Sequence, residues 1–383
     1  MKVKELKLIF ILNIVYFIFP KIDLISIPGF PTGIRVQDLI ALTLLAIHLR
    51  VFANKRINKH LFIFYVVSFF GVLNGFLNGV SLEAFLGFSR FLEYIVIAYS
   101  LYKLLLSKLR WNFLFVVVSL NVFIAFLQYN LLFPLYDPGR GGFRISSEFS
   151  ASFSNSAEFS YFLIAIILVS ISLNRKYFSL SNIYGLRNIL LSSFIFLNGV
   201  RASFLPWLGM IIFNFKRRLS YFFMLVIFLF FLVIFYDYLL EQVMFIWLFV
   251  SIIFENILVG GYVRGDLTEN FFTFSDDLSL FHRISKWIVA ISITLNNWNV
   301  LLFGYGAYSA YGAMDGGLVR FFFEFGLIGI IYILYYLRKI PLVGIVAVLA
   351  SNLFYDGYLS SSVMPLYICS VFLFLNKEKI SVE

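Results

Sequence analysis

The feature that most constrains this chain is its long uninterrupted apolar blocks, such as Leu219 to Tyr236, LSYFFMLVIFLFFLVIFY. A block of this kind approaches the roughly 20 residues that a helix needs to cross a hydrocarbon core. Of 383 residues, 61% are hydrophobic and 13% charged. A water-soluble domain of this length has too little polar surface to cover such a composition, so lipid is the expected solvent and the expected fold class is an all-α polytopic membrane protein. The sole cysteine, Cys369, sits in an apolar block, which leaves neither a disulfide framework nor a cysteine metal site. The first block follows Lys2, Lys4 and Lys7 without a small-x-small cleavage site, which predicts a retained first span.

Cutting the chain at charged and Pro/Gly-rich breaks predicts about twelve spans, at roughly 7–26, 38–52, 61–79, 86–106, 112–132, 156–173, 187–199, 202–215, 219–237, 316–337, 341–356 and 361–376. An even number puts both termini on one side. The segments on that side carry Arg50, Lys55, Arg56, Lys59, Lys108, Lys216, Arg217, Arg218, Arg338 and Lys339 among their cations, but only Glu5, Glu378 and Glu383 as acids. Excess Lys and Arg marks cytoplasmic loops, so the termini are expected in the cytoplasm. The net charge of +10 is then mainly a topology signal. No RNP, helix-turn-helix or zinc-ligand pattern supports a nucleic-acid role. The chain reads as a single transmembrane domain, 1–383, with a first long outer loop at 132–156 and a second, large one at 237–315. Within the latter, Met244 to Phe254 is apolar enough to lie along a membrane surface.

Ten cations remain on the outer side or in spans: Lys21, Arg35, Arg90, Arg140, Arg144, Arg201, Arg264, Arg283, Lys286 and Arg320. Arginine predominates among them, and its planar guanidinium binds phosphate or carboxylate in a bidentate way that lysine does not. The alternative for each is a salt bridge to an outer acid. Arg201 lies at the break in LNGVRASFLPWLG between two short spans, at or below the expected outer surface; the alternative there is a turn arginine snorkelling to the headgroups. A second group of residues runs from His282 to Gly329. In it Arg283 and Trp287 are one helical turn apart, Gly304-Tyr305-Gly306 forms a turn, and Asp315 precedes a span containing Arg320 and Glu324. A third, Asp137-Pro-Gly-Arg-Gly-Gly-Phe-Arg144 with Glu148, Ser154, Asn155 and Glu158, offers glycine-rich backbone, Arg140 and Arg144 to an anion or a sugar, or else is a solvated connector.

Other charges in the spans read structurally. Arg90 and Glu93, three apart, pair on one helix face, and Asp38 caps the second span. His48, His60 and His282 have no metal-ligand spacing.

These residues resemble the bacterial O-antigen polymerase and O-antigen ligase superfamily over most of the chain. The likeness is carried by GIRVQDLIALTLLAI (Gly33 to Ile47), FRISSEFSASFSNSAEFSYFL (Phe143 to Leu163), NGVRASF (Asn198 to Phe204) and the Arg283 to Gly329 stretch, of which the last two are specific. Relatives have a Ser-Arg-Gly-like turn where this chain has Val200-Arg201-Ala202. Ligases usually carry His-Asn where this chain has Asp315-Gly316, which looks more like the polymerase branch.

The resemblance implies a metal-independent glycosyl transfer, with no cofactor, between two undecaprenyl-diphosphate-linked oligosaccharides at the periplasmic face of the bacterial inner membrane. The growing glycan leaves its carrier and its reducing end joins a hydroxyl of the incoming repeat unit. On this reading Arg201 and Arg283 hold the departing diphosphate and Asp315 is a general base, its alternative being a helix cap. Arg140, Arg144, Glu148, Arg264, Trp287, Tyr305 and Arg320 are the expected substrate-binding residues. The expected partners are membrane lipids, a chain-length regulator and a flippase. Competing readings are the ligase, a capsule or exopolysaccharide polymerase and, in another class, a lipid-linked oligosaccharide flippase. A flippase is expected to place broken-helix sites near the membrane middle with repeat symmetry.

Overall fold

The computed structural model describes residues 3–25, 34–48, 66, 69–79, 81–137, 142–145, 150–153, 155–173, 190–195, 197–198, 200–212, 247, 251, 278–306, 316–352 and 360–375. Within them the chain is mostly helical. The expected span at 219–237 lies outside the described residues, and those at 61–79 and 187–199 are described in part.

The first helix, α1 (Val3–Ile18), stops short of Pro20, as helices do before a residue that has no N–H and crowds its predecessor. Two short strands, β1 (Asp23–Ile25) and β2 (Ile34–Arg35), then pair antiparallel, with Asp23 opposite Arg35. Helix α2 (Val36–His48) follows directly. Its Asp38 carboxylate accepts from the Arg35 backbone N–H at 2.7 Å, so the expected cap is present and the helix begins two residues before the span predicted there.

A helical stretch at 69–77 precedes α3 (Ser81–Leu105) and α4 (Arg110–Tyr129). A β-hairpin of β3 (Leu135–Asp137) and β4 (Gly142–Arg144) follows, placing Leu135 opposite Arg144 within the first predicted outer loop.

Helix α5 (Ser156–Leu173) is the central pillar. It is buried at every position from Glu158 to Leu173, as expected of a helix that is apolar all round. Asn155 caps it, its side-chain oxygen accepting from the Glu158 N–H at 2.7 Å. Around α5 pack Phe17 of α1, whose ring lies 6.0 Å from Phe162, and helices α6 (Arg201–Ile212), α10 (Leu342–Ser351) and α11 (Met364–Leu375). Gly209 lets α6 and α10 approach closely, since a Cβ there would stand 2.3 Å from Val346 Cγ1.

The rest of the late region is α7 (Leu278–Asn296), α8 (Trp298–Phe303) and α9 (Gly317–Leu337). Within the second predicted outer loop, α7 and α8 pack along α9. Helix α9 is broken at Gly326, whose φ of 60° and ψ of −161° are open only to glycine.

Among the described residues, three helices, α4, α5 and α9, are long and apolar enough to cross a membrane, and α2, α10, α11 and the part of α7 from Lys286 to Asn296 are shorter apolar helices. Phe115, Phe123 and Phe126 of α4 and Ile331 and Leu334 of α9 are exposed, which suits hydrocarbon better than water.

Candidate functional site

Several charged side chains of this apolar bundle meet at the end where α1 stops and α2 and α5 begin. Lys21, in the turn after α1, pairs with Glu158 in the first turn of α5. Burying a charge is costly unless it is paired and hydrogen-bonded, and Glu158, 1% exposed, has several donors. Its Oε1 also accepts from the hydroxyls of Ser360 and Ser362, the latter at 3.1 Å. One carboxylate thus joins α1, α5 and the segment leading into α11.

A second network lies beside the first. Arg90 Nη1 of α3 bonds Glu93 Oε2 at 2.9 Å and also reaches Asp38 of α2. The Tyr16 hydroxyl lies 2.8 Å from Glu93 Oε1 and 2.9 Å from the Ser361 carbonyl. Ser360 to Ser362 is therefore the meeting point of both networks. At the edge, Arg35 Nε bonds Asp23 Oδ1 at 2.8 Å across the short β1–β2 ladder. Among the described residues, Lys21, Arg35, Arg90 and Arg320 of the ten outer cations are in ion pairs, the last with Glu324.

The Arg201 turn is tied to the same end. The Asn198 amide donates to the Ser156 carbonyl at 2.6 Å and to Ser160 Oγ at 2.7 Å, either side of Glu158 on α5. Arg201 is the first residue of α6, where the Ser203 hydroxyl bonds the Val200 carbonyl at 2.7 Å. The side chain of Arg201 lies outside the described residues.

The late stretch forms a junction of its own. Trp287 of α7 rests on Gly316 at the head of α9 so closely that a Cβ at position 316 would stand 2.5 Å from its indole nitrogen. Arg283 stands one turn earlier on α7, and its side chain, like the whole of Asp315, is outside the described residues. The contact sets the turn of α7 that follows Arg283 against the head of α9. Tyr305 stacks on Phe323, with ring centroids 5.1 Å apart and planes 12° apart. Arg320, 3% exposed, donates from Nε to Glu324 at 2.9 Å, one turn along α9. Phe91 of α3 meets Phe325 of α9 at 5.5 Å, which places this junction against the helix that carries Arg90 and Glu93. The Leu318 N–H donates to the Asn352 carbonyl at 2.8 Å and joins the head of α9 to the end of α10.

Arg140, Glu148 and Arg264 lie outside the described residues, and Arg144 is placed in β4 by its backbone alone. Among the described residues, no group of three or more His, Cys, Asp or Glu could hold a metal ion. Sequence reasoning did not find the roles of Tyr16, Asn198 and the three serines. Each is a common residue type whose partner is far away in the chain, and only an asparagine next to the Arg201 turn gave a local signal.

The chain matches no family model, no curated protein and no solved structure.

Proposed function

We propose that this protein is a polymerase of undecaprenyl-diphosphate-linked oligosaccharide repeat units, of the O-antigen polymerase type, embedded in the bacterial inner membrane with about twelve spans and both termini in the cytoplasm. The contact of Trp287 with Gly316 is the observation that carries this reading. It sets α7, one turn beyond Arg283, against Gly316 at the head of α9, and this supports a reading in which a cationic clamp works beside a general base. Asn198 supports it by fastening the start of α6, and so Arg201, to the charged end of α5.

In the proposed reaction, the acceptor sugar hydroxyl loses its proton to Asp315 and attacks the anomeric carbon of the growing glycan. The bond from that carbon to the diphosphate breaks, and the oxygen that leaves is held by Arg201 and Arg283. The direct test supplies purified protein with synthetic undecaprenyl-diphosphate-linked repeat units. Longer lipid-linked glycans together with released undecaprenyl diphosphate support the proposal; unchanged substrate counts against it.

One observation favours the flippase reading: transporters bind substrates at broken helices, and α9 is broken near its middle. At this break, however, the Phe323 and Glu324 carbonyls accept from the N–H groups of Tyr305 and Gly306 at 2.7 and 3.2 Å, so the chain itself occupies the place a transported ion or substrate would take. Translocation of a fluorescent lipid-linked sugar by protein in vesicles, without chain growth, would decide for the flippase.

A further inference from the structure

The break in α9 is filled by a turn from the preceding segment. Gly304 (φ +80°) and Gly326 (φ +60°) meet backbone to backbone: a Cβ on Gly304 would lie 2.2 Å from the Glu324 carbonyl oxygen, and one on Gly326 would lie 2.6 Å from the Gly304 nitrogen. Only glycine permits either the dihedral or the approach. In an uninterrupted helix the carbonyls of Phe323 and Glu324 face the N–H groups four residues on; beside the break they take those of Tyr305 and Gly306 instead. At 1.5 Å per residue, Gly326 is about 14 Å along the helix from Gly317, close to half of a roughly 30 Å hydrocarbon core. The Gly304 to Gly306 turn therefore reaches deep beside α9, well beyond the helix head where Trp287 rests.

Two asparagines of an otherwise apolar segment hold this turn from the other side. The Asn74 amide donates to the Gly304 carbonyl, and the Asn78 amide donates to the Tyr305 carbonyl at 3.1 Å and the Asn74 carbonyl at 2.9 Å. Asn74 is 5% exposed, in a stretch whose neighbours Phe69, Phe70, Leu73, Phe76 and Leu77 are exposed and apolar. In such surroundings a carbonyl with no donor is costly, so these amides are specific fasteners of the turn.

We infer that Asn74 and Asn78 are positioning residues of the proposed transfer site: by seating the Gly304 to Gly306 turn in the break of α9 they set the first half of that helix, and with it the Gly316 junction that follows Asp315. The inference rests on the proposed function. Neither asparagine touches the reacting atoms; each acts through the turn, the break and the head of α9.

The test has two arms, so that a failed inference and a failed function look different. In a Cys369→Ser background, Tyr305→Cys with Phe323→Cys is expected to cross-link in membranes under mild oxidation, because the two residues are joined by a backbone hydrogen bond of 2.7 Å. Asn74→Ala and Asn78→Ala are each expected to lower the cross-link yield several-fold. In the second arm, the same substitutions are expected to lower kcat for repeat-unit transfer by about tenfold per inserted molecule with KM within about twofold, since the acceptor still binds but meets a displaced base. Absence of the cross-link overturns the inference alone. A merely structural role, also overturning it, gives less inserted protein with kcat per molecule unchanged. A cross-link in the cysteine variant, with no repeat-unit transfer by the chain that keeps Tyr305 and Phe323, overturns the proposed function and the positioning role with it, while the docking of the turn stands.

Discussion

The indole of Trp287 lies against Gly316 with no room for a side chain between them, and this contact joins α7 to the head of α9. Gly316→Ala is expected to push the two apart and to cut polymer formation at least about tenfold, because a small misplacement of reacting groups is expensive in rate. Trp287→Leu in the same chain is expected to restore part of the loss by vacating the space. Measuring chain growth in the two single variants and the double variant checks this. Strictly additive losses would mean that the contact does not couple the two positions.

Arg201→Ala and Arg283→Ala are each expected to abolish polymer while leaving the protein in the membrane. The loss of one group that stabilises developing charge is worth about 100-fold to 1,000-fold. Immunoblots of membranes beside glycan gels make the comparison, and wild-type chain lengths with either stable variant would remove the clamp. Asp315→Asn is expected to reduce the rate as well, by about 100-fold if the carboxylate is the general base. Near-normal activity would leave Asp315 as a helix cap.

Glu158→Ala is expected to be among the most destabilising single changes. It leaves the Lys21 ammonium buried without its carboxylate and removes the acceptor shared by Ser360 and Ser362. Breaking one side of a buried pair costs about 3–5 kcal/mol. Lys21→Met is expected to cost a comparable amount, and Lys21→Met with Glu158→Ala less than the sum of the two. Thermal unfolding in detergent reads all three, and a double variant as unstable as the sum would contradict the pairing.

Tyr16→Phe removes the hydroxyl that serves Glu93 Oε1 and the Ser361 carbonyl. A cost of about 1–3 kcal/mol is expected, the usual penalty for a buried group that loses its partner. An unchanged unfolding midpoint would argue against the bond.

The helical membrane class was legible from the apolar blocks, and contacts between near neighbours were legible from spacing. Arg90 with Glu93 follows from three-residue separation on one helix, and the Asp38 cap from its place ahead of an apolar run. What stayed hidden was the long-range pairing of common residues. Nothing local distinguishes Lys21 as the partner of Glu158, or Asn74 as the partner of Gly304, because the fold alone brings these residues together. The Gly-Tyr-Gly turn was visible as a turn, but its seat in α9 depends on Gly326, and a glycine within an apolar helix carries no signal of what it admits. For the proposed site itself, the Arg283 to Trp287 spacing was legible, whereas the packing of Trp287 on Gly316 was not.

Polymerisation of lipid-linked repeat units is tested most directly by a gel of lipopolysaccharide from the source strain with this gene deleted and then restored. The expected result is a ladder that collapses to core bearing a single repeat unit on deletion and returns on restoration. An unchanged ladder would contradict O-antigen polymerisation, and core with no repeat unit, with polymer accumulating on the lipid carrier, would assign the ligase step instead.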